Sequence, residues 1–350
     1  MGEKIVVGIS GGVDSAVCAY LLKQQGYEVI GVTMQTWREQ GIASCVEDGR
    51  TAAEALGIEH HVVDFSGIFR EKVVDYFMDE YACGRTPNPC VVCNRYVKWQ
   101  ALLDYAKTCG AERIATGHYA RIERMKASGR LAVKNSACAE KDQTYVLYGL
   151  SQDQLARTRM PLGEYTKEQV RQIAADAKLV TVASKAESME NCFIEDNDYA
   201  GFIDRMRPQQ AESLKGNFVR ADGSVIGPHK GITHYTMGQR RGLGIAAGER
   251  IFVTGIDPVS REVRLGANEE LMTQSVSAGQ LCYMGAGSFE PGMEVLARIR
   301  YNHRGNRAVV QESPEGILTV RFEEPVRAAT PGQSLVLYQD GCVLGGGIIL

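Results

Sequence analysis

The sequence predicts an α/β chain in three parts: a doubly wound parallel sheet, a small β-rich central domain, and a C-terminal β-barrel. Three observations carry that prediction. Short β-branched apolar runs alternate with helix-spaced apolar positions through the first two hundred or so residues, the pattern of a parallel sheet with helices on both faces. A loop of glycine and hydroxyl residues, Ser10-Gly11-Gly12-Val13-Asp14-Ser15, joins the first of those runs to the first helix. Beyond about residue 203 short strands with turn signals replace the helical period. The predicted domains are 1–202, 203–272 and 273–350, since 350 residues exceed one typical core.

Taken in order, Ile5-Val6-Val7-Gly8-Ile9 is apolar without alternation, which reads as a strand buried on both faces. Ala16, Val17, Tyr20 and Leu21 follow at helical spacing until Gly26 stops the helix. Glu28 to Met34 is a second strand, Ala52 to Leu56 belong to a helix closed by Gly57, and His61 to Asp64 is a third strand. Phe69 to Tyr81 reads as a helix, as does the stretch from about Tyr96 to Cys109, and Arg113 to Gly117 is a fourth strand. Ligands of such sheets bind at the carboxyl ends of the strands. The opening loop, Met34 and Gly117-His118 all fall there. A capping box at Thr166-x-x-Gln169 starts another helix that ends near Leu179, and an irregular acidic stretch runs from Glu187 to Asp198. Asp222-Gly223 is a hairpin turn, and the runs at Ala297, Ala308, Ile317 and Leu335 are spaced as barrel strands.

Lys and Arg number 39 against 42 Asp and Glu, and residues 203–350 carry 16 against 15. No domain is strongly basic, so any RNA contact rests on local clusters. No apolar run approaches membrane-spanning length and no signal peptide is readable, which implies a cytoplasmic protein with no membrane partner. Ten cysteines in a reducing compartment are thiols, catalytic groups or metal ligands rather than a disulfide framework.

A glycine-rich loop entering a helix aims backbone N–H groups and a positive dipole end at an anion, most often phosphate. This one is not a Walker loop, because it has no lysine, and G-x-G-x-x-G is absent too. Asp14 stands in the cradle instead, where an acid is tolerable only beside a metal ion or a strong donor network. A tight turn without a ligand is the bland alternative. Ser-Gly-Gly-x-Asp-Ser resembles the signature of the PP-loop ATPases, which split ATP into AMP and pyrophosphate and hold the pyrophosphate in this loop.

Thr86-Pro87-Asn88-Pro89-Cys90-Val91-Val92-Cys93-Asn94 is the second informative stretch. The two prolines hold Asn88 extended and forbid helix, and Asn94 is the expected N-cap of the helix that follows. Cys93 then lies just outside a helix N-terminus, a place that favours thiolate and hence a nucleophile. Two rivals remain: structural zinc with Cys83 as a third ligand, and an iron–sulfur cluster on Cys90, Cys93 and a distant cysteine. Cys192 is that distant cysteine, among Glu187, Glu195, Asp196 and Asp198. Acidic neighbours make a poor free nucleophile but suit a carrier that receives sulfur from another protein. A core cysteine beside Phe193-Ile194 is the alternative reading. The other cysteines, Cys109 and Cys282 among them, read as filler. Four clusters interleave basic groups with aromatics and glycines: Gly117 to Arg121, Lys141 to Tyr145, His229 to Gly242, and Arg298 to Arg307. Together they suit a large folded RNA lying across the molecule.

Seven stretches in the same order resemble the bacterial tRNA-specific 2-thiouridylases. They are residues 10–15, 84–94 (Gly-Arg-Thr-Pro-Asn-Pro-Cys-Val-Val-Cys-Asn), 117–120, 141–145 (Lys-Asp-Gln-Thr-Tyr), 192–194 (Cys-Phe-Ile), 235–244 and 329–333. The resemblance implies ATP-dependent sulfur insertion at C2 of the wobble uridine, position 34, of tRNA for Lys, Glu and Gln. Gly8, Ile9, Ser10, Gly11, Gly12, Val13, Asp14, Ser15, Met34 and Gly117 would bind ATP, with Mg²⁺ beside Asp14. Cys93 would be the nucleophile and Cys192 the persulfide cysteine, fed by a sulfur carrier or cysteine desulfurase and closing a disulfide with Cys93 in the cycle. Asn88, Pro89 and Cys90 would meet the flipped-out base. His118, Lys141, Asp142, Gln143, Arg300, Tyr301 and Gln333 would touch the tRNA. Cys90 and Glu187 stand where many relatives have Asp, and Trp99 where Phe is common. Cys90 keeps open a [4Fe–4S] route through Cys90, Cys93 and Cys192. Another PP-loop tRNA-thiolating or adenylating enzyme, and a non-catalytic tRNA-binding protein that senses ATP, are the alternatives.

Overall fold

The computed structural model describes residues 2–37, 45–179, 191–245 and 250–350. Glu187 and the start of the acidic stretch lie outside the described residues.

Strands β1 (Lys4–Gly8), β2 (Glu28–Gln35), β3 (Glu59–Asp64), β4 (Arg113–Ala115) and β7 (Thr158–Arg159) form one sheet in the order β3-β2-β1-β4-β7, parallel throughout. Ile5, Val6 and Val7 are fully buried, as an unalternating apolar run requires. Strand order reverses at β1, so a crevice opens beyond the ends of β1 and β4, the switch point where such sheets take ligands. Helix α1 (Val13–Gln24) leaves the β1 loop, and α2 (Cys45–Leu56) packs beside it. Helices α3 (Ser66–Phe69) and α4 (Tyr76–Ala82) are joined by a π-helical stretch, Arg70–Asp75.

The second cysteine stretch departs from expectation. Helix begins at Pro89, not after Asn94: α5 (Pro89–Cys93), a π-helical segment Asn94–Ala101 and α6 (Leu102–Thr108) form one rod. Proline is tolerated at the first helical position, where its missing N–H would be unpaired anyway. Only Asn88, with φ −113° and ψ 90°, stays extended as the N-cap, and Asn94 sits mid-rod, its Nδ2 donating to Val146 O at 3.0 Å.

Helices α7 (Gln152–Ala156), α8 (Lys167–Asp176), α9 (Tyr199–Met206) and α10 (Pro208–Ser213) complete the helical part. The box ahead of α8 is made in both directions, Gln169 N donating to Thr166 Oγ1 and Thr166 N to Gln169 Oε1. In the central domain β8 (Gly216–Val219), β9 (Val225–His229), β10 (Phe252–Asp257) and β11 (Glu262–Gly266) form a mixed sheet, with β8 and β9 a hairpin around Gly223. The C-terminal strands β12 (Met272–Tyr283), β13 (Glu294–Arg298), β14 (Asn306–Gln311), β15 (Leu318–Arg327), β16 (Ser334–Gln339) and β17 (Cys342–Ile349) close into a barrel through the β12–β17 pairing. A hairpin from the first domain, β5 (Arg121–Arg124) and β6 (Leu131–Lys134), extends that sheet at β17. Among the described residues no helix is long and apolar enough to cross a membrane.

Fully buried Trp99 on the cysteine rod donates Nε1–H to Thr158 Oγ1 on β7 at 2.8 Å, tying rod to sheet. Trp99→Phe keeps an aromatic ring there and removes the donor. It should destabilise the fold by about 1–2 kcal/mol, read as a lower urea midpoint.

Candidate active site

The loop after β1 is built by its own hydroxyls. Ser15 Oγ accepts from Ser10 N at 3.2 Å and donates to Gly12 O at 2.9 Å, while Ser10 Oγ accepts from Gly12 N at 3.4 Å. Gly11 turns at φ 77°, and α1 starts at Val13 with no side-chain cap. The amides of its first turn therefore face the crevice without helical partners. Gly117, just past β4, approaches so closely that a Cβ there would lie 2.9 Å from Asp14 C and Ser15 N. Gly8 is less confined, the Met34 Cε lying 3.4 Å from where a Cβ would be, and Ile9 is buried.

Asp14 is held by a donor network. Lys167 Nζ lies 2.7 Å from its Oδ1 and 2.8 Å from its Oδ2, and Tyr119 Oη donates to Oδ1 at 2.8 Å. Burial and the adjacent carboxylate push the Tyr119 phenol upward, so it remains a donor. With both oxygens engaged, Asp14 does not fit the role of a ready Mg²⁺ ligand.

Cys93 lies within the rod, 7% exposed, and burial pushes its thiol up to about 12, opposed by the Lys98 ammonium. This corrects the expectation of a thiolate favoured by a helix N-terminus: the helix starts four residues earlier, and desolvation dominates. Lys98 stands five residues on from Cys93, in register with it on a π-helical segment. Desolvation lowers the Lys98 pKa, and the Cys93, Cys90 and Cys192 thiols raise it, the net shift being upward. Cys90 and Cys192 are both exposed. Phe193, by contrast, is buried against Phe69, Phe77 and Phe202 with ring centroids 5.3–5.9 Å apart. The aromatic anchors the turn and leaves Cys192 at the surface, so the core-cysteine alternative falls. Asp196 pairs with Arg205 at 3.2 Å and Asp198 caps α9, so those two carboxylates are occupied elsewhere. Among the described residues no group of three or more His, Cys, Asp or Glu side chains is placed to hold a metal ion. Cys90, Cys93 and Cys192 all lie within electrostatic reach of the Lys98 ammonium.

The residues expected at the tRNA sort into two kinds. The Asp142 side chain is 6% exposed and accepts from Ser136 N and Thr144 N, with Arg298 3.6 Å away. Gln143 Oε1 accepts from Tyr119 N, and Gln333 Nε2 donates to the Thr86 and Pro87 carbonyls at 3.0 and 3.2 Å, bracing the loop that carries Asn88, Pro89 and Cys90. His118 is buried against Trp99, its Nδ1 2.9 Å from Thr116 Oγ1. Lys141 is partly exposed, Arg300 is exposed, and Tyr301 is 43% exposed with Cys90 among its electrostatic neighbours. Of the other clustered aromatics, Tyr119, Tyr145 and Tyr235 are core, and so is His229. Tyr301 is the exposed tyrosine of those four clusters. Lys98 and Lys167 were not singled out by sequence reasoning. Lys98 meets Cys93 only through π-helical spacing, whereas Lys167 left a readable sign, a cation in the first turn of a helix.

A family profile described as tRNA methyl transferase HUP domain matches residues 3–196. Profiles described as tRNA methyl transferase PRC-barrel domain and Aminomethyltransferase beta-barrel domain match 201–267 and 273–349. The tRNA-specific 2-thiouridylase MnmA of Lachnoclostridium phytofermentans is 51% identical over 360 residues, covering 99% of each chain. Its counterpart from Clostridium acetobutylicum is 47% identical and covers 100% of both. The solved NMN synthetase from Francisella tularensis overlays with TM-score 0.36 at 18% identity, over 59% of this chain and 78% of that one.

Burial, and secondarily the Lys98 ammonium, hold the His118 pKa well below 6.5. As pH falls through that value the unfolded chain gains a proton that the folded one refuses, so stability declines on the acid side. Urea unfolding between pH 6.5 and about 5 should show this, and His118→Gln should flatten the slope by up to about 1.4 kcal/mol per pH unit.

Proposed function

The chain belongs to the family of tRNA-specific 2-thiouridylases, and from that premise we propose how its own residues divide the tRNA-uridine sulfurtransferase reaction. ATP lies with its phosphates against the Ser10–Ser15 loop and its base toward Gly8, Met34 and Gly117. The C2 oxygen of uridine, by itself a hopeless leaving group, attacks the α-phosphate and expels pyrophosphate into the cradle of first-turn amides. The base reaches this point flipped from its stack, between Asn88, Pro89, Cys90 and the Tyr301 ring.

Sulfur then arrives at C2. The terminal sulfur of a Cys192 persulfide attacks, AMP departs, and Cys93 as thiolate attacks the Cys192 sulfur. The thiocarbonyl is released and a Cys93–Cys192 disulfide remains to be reduced. Lys98 is the cation that makes a buried Cys93 thiolate affordable. The observation that carries the reading is continuity. Cys93, Lys98, His118 and Gly117 follow one another from the thiols to the phosphate loop, Lys98 acting on both Cys93 and His118. Magnesium accompanying ATP would be held by phosphate oxygens and water rather than by Asp14, and the sulfur route needs no cluster. Two matched domains carry a methyl-transfer description, but a phosphate cradle beside paired cysteines serves adenylation and sulfur transfer.

The proposed substrates are the anticodon loops of tRNA for Lys, Glu and Gln at uridine 34. The proposed sulfur source is a persulfide carrier or cysteine desulfurase, and the proposed setting is the cytoplasm. Nucleoside mass spectrometry of unmodified tRNA treated with protein, ATP and a persulfide donor should detect 2-thiouridine without a reconstituted iron–sulfur cluster. None with or without the cluster defeats the reading. Cys192→Ser should abolish that product while tRNA-dependent pyrophosphate release continues. Lys98→Met should lower thiolation at least about tenfold and move the alkaline-rising limb of the pH profile upward, since the Cys93 thiol loses its cation.

A further inference from the structure

Two residues of the phosphate site break electrostatic rules when each is taken alone. Asp14 is an acid inside an anion cradle. Lys167 is a cation in the first turn of α8, where the helix dipole disfavours it, and it is nevertheless 9% exposed. Each is the other's remedy. The ammonium sits within 2.8 Å of both Asp14 oxygens across 153 residues of sequence. It also lies 5.7 Å from the centre of the Tyr119 ring, whose hydroxyl shares the carboxylate. The capping box at Thr166 and Gln169 fixes where α8 begins, and so where Lys167 stands.

We infer that Lys167 is a positioning residue of the phosphate loop: it cancels the Asp14 charge and locks the first turn of α1, so that the cradle attracts rather than repels pyrophosphate. The loop has no lysine in its own sequence, and α8 supplies one from outside it. The inference rests on the assignment of ATP phosphates to this loop. It goes beyond that assignment by stating that Lys167 works through Asp14 and not by gripping ATP.

A double-variant cycle separates those two modes of action. ATP binding to full-length protein is measured by calorimetry for wild type, Lys167→Met, Asp14→Asn, and the two combined. Thermal unfolding without ATP is measured alongside. Lys167→Met should weaken ATP binding at least about tenfold, because the carboxylate in the cradle then keeps its charge without a cation. Adding Asp14→Asn should restore most of that loss, and Lys167→Arg should stay near wild type. The unfolding temperatures should follow the same order, with Lys167→Met lowest and the double variant above it. If Lys167→Met proves too unstable, the double variant compared with Asp14→Asn alone decides the matter, since removing Lys167 should be nearly silent once Asp14 is neutral. ATP binding in the double variant no tighter than in Lys167→Met, or a large further loss on top of Asp14→Asn, overturns the inference. A wild-type protein that binds no ATP defeats the phosphate-loop assignment instead, while the ATP-free unfolding series still tests the clamp.

Discussion

The close approach of Gly117 to the first turn of α1 is the constraint on which the rest of the site depends. A methyl group there would stand 2.9 Å from backbone atoms of Asp14 and Ser15, a distance that backbone cannot yield cheaply. Because glycine permits that contact, the end of β4 and the loop after β1 share one crevice. The residues beyond Gly117 are then drawn to fixed places. His118 turns down onto Trp99, and Tyr119 swings over to Asp14. One absent side chain thus brings the Ser10–Ser15 loop next to the rod that bears the thiols.

The barrel takes part in that arrangement. Thr86 N donates to Pro331 O at 2.8 Å, and Gly332, at φ 90°, lets the two backbones meet where any larger residue would collide with Thr86. Gln333 adds its two bonds to the same stretch, and Tyr145 reaches Ser334 O at 2.8 Å. The loop with Asn88 and Cys90 is therefore held from both sides, by its own helix and by a strand end 247 residues away in sequence. The barrel is thus the outer brace of the Asn88–Cys90 loop.

Much of this was legible in the sequence, for stated reasons. Ile5 to Ile9 could be nothing but a buried strand, and the capping box before α8 needed no tertiary help. The β8–β9 hairpin turned where Asp222-Gly223 said it would. The misreadings have physical causes too. Pro87 and Pro89 look like helix breakers, yet proline at a first helical position starts a helix, and that one choice moves Cys93 from a helix end into a helix interior. A π-helical spacing cannot be read from periodicity of 3.6, so Lys98 passed unnoticed. Strands β12 and β17 are polar or glycine-rich, and β5–β6 becomes part of the barrel only through long-range pairing. Clustered aromatics with arginines suggested stacking surfaces, but burial of Tyr119, Tyr145 and Tyr235 reserves most of them for the core.

The Phe193 anchor carries a last consequence. Wedged among Phe69, Phe77 and Phe202, it pins the neighbouring Cys192 to one address beside the Cys93 rod. Under the proposed reaction the sulfur donor would have to come to that address, and so would the tRNA. The two would then call in turn, and clearing the first before the second arrives would count toward turnover as much as the chemistry does.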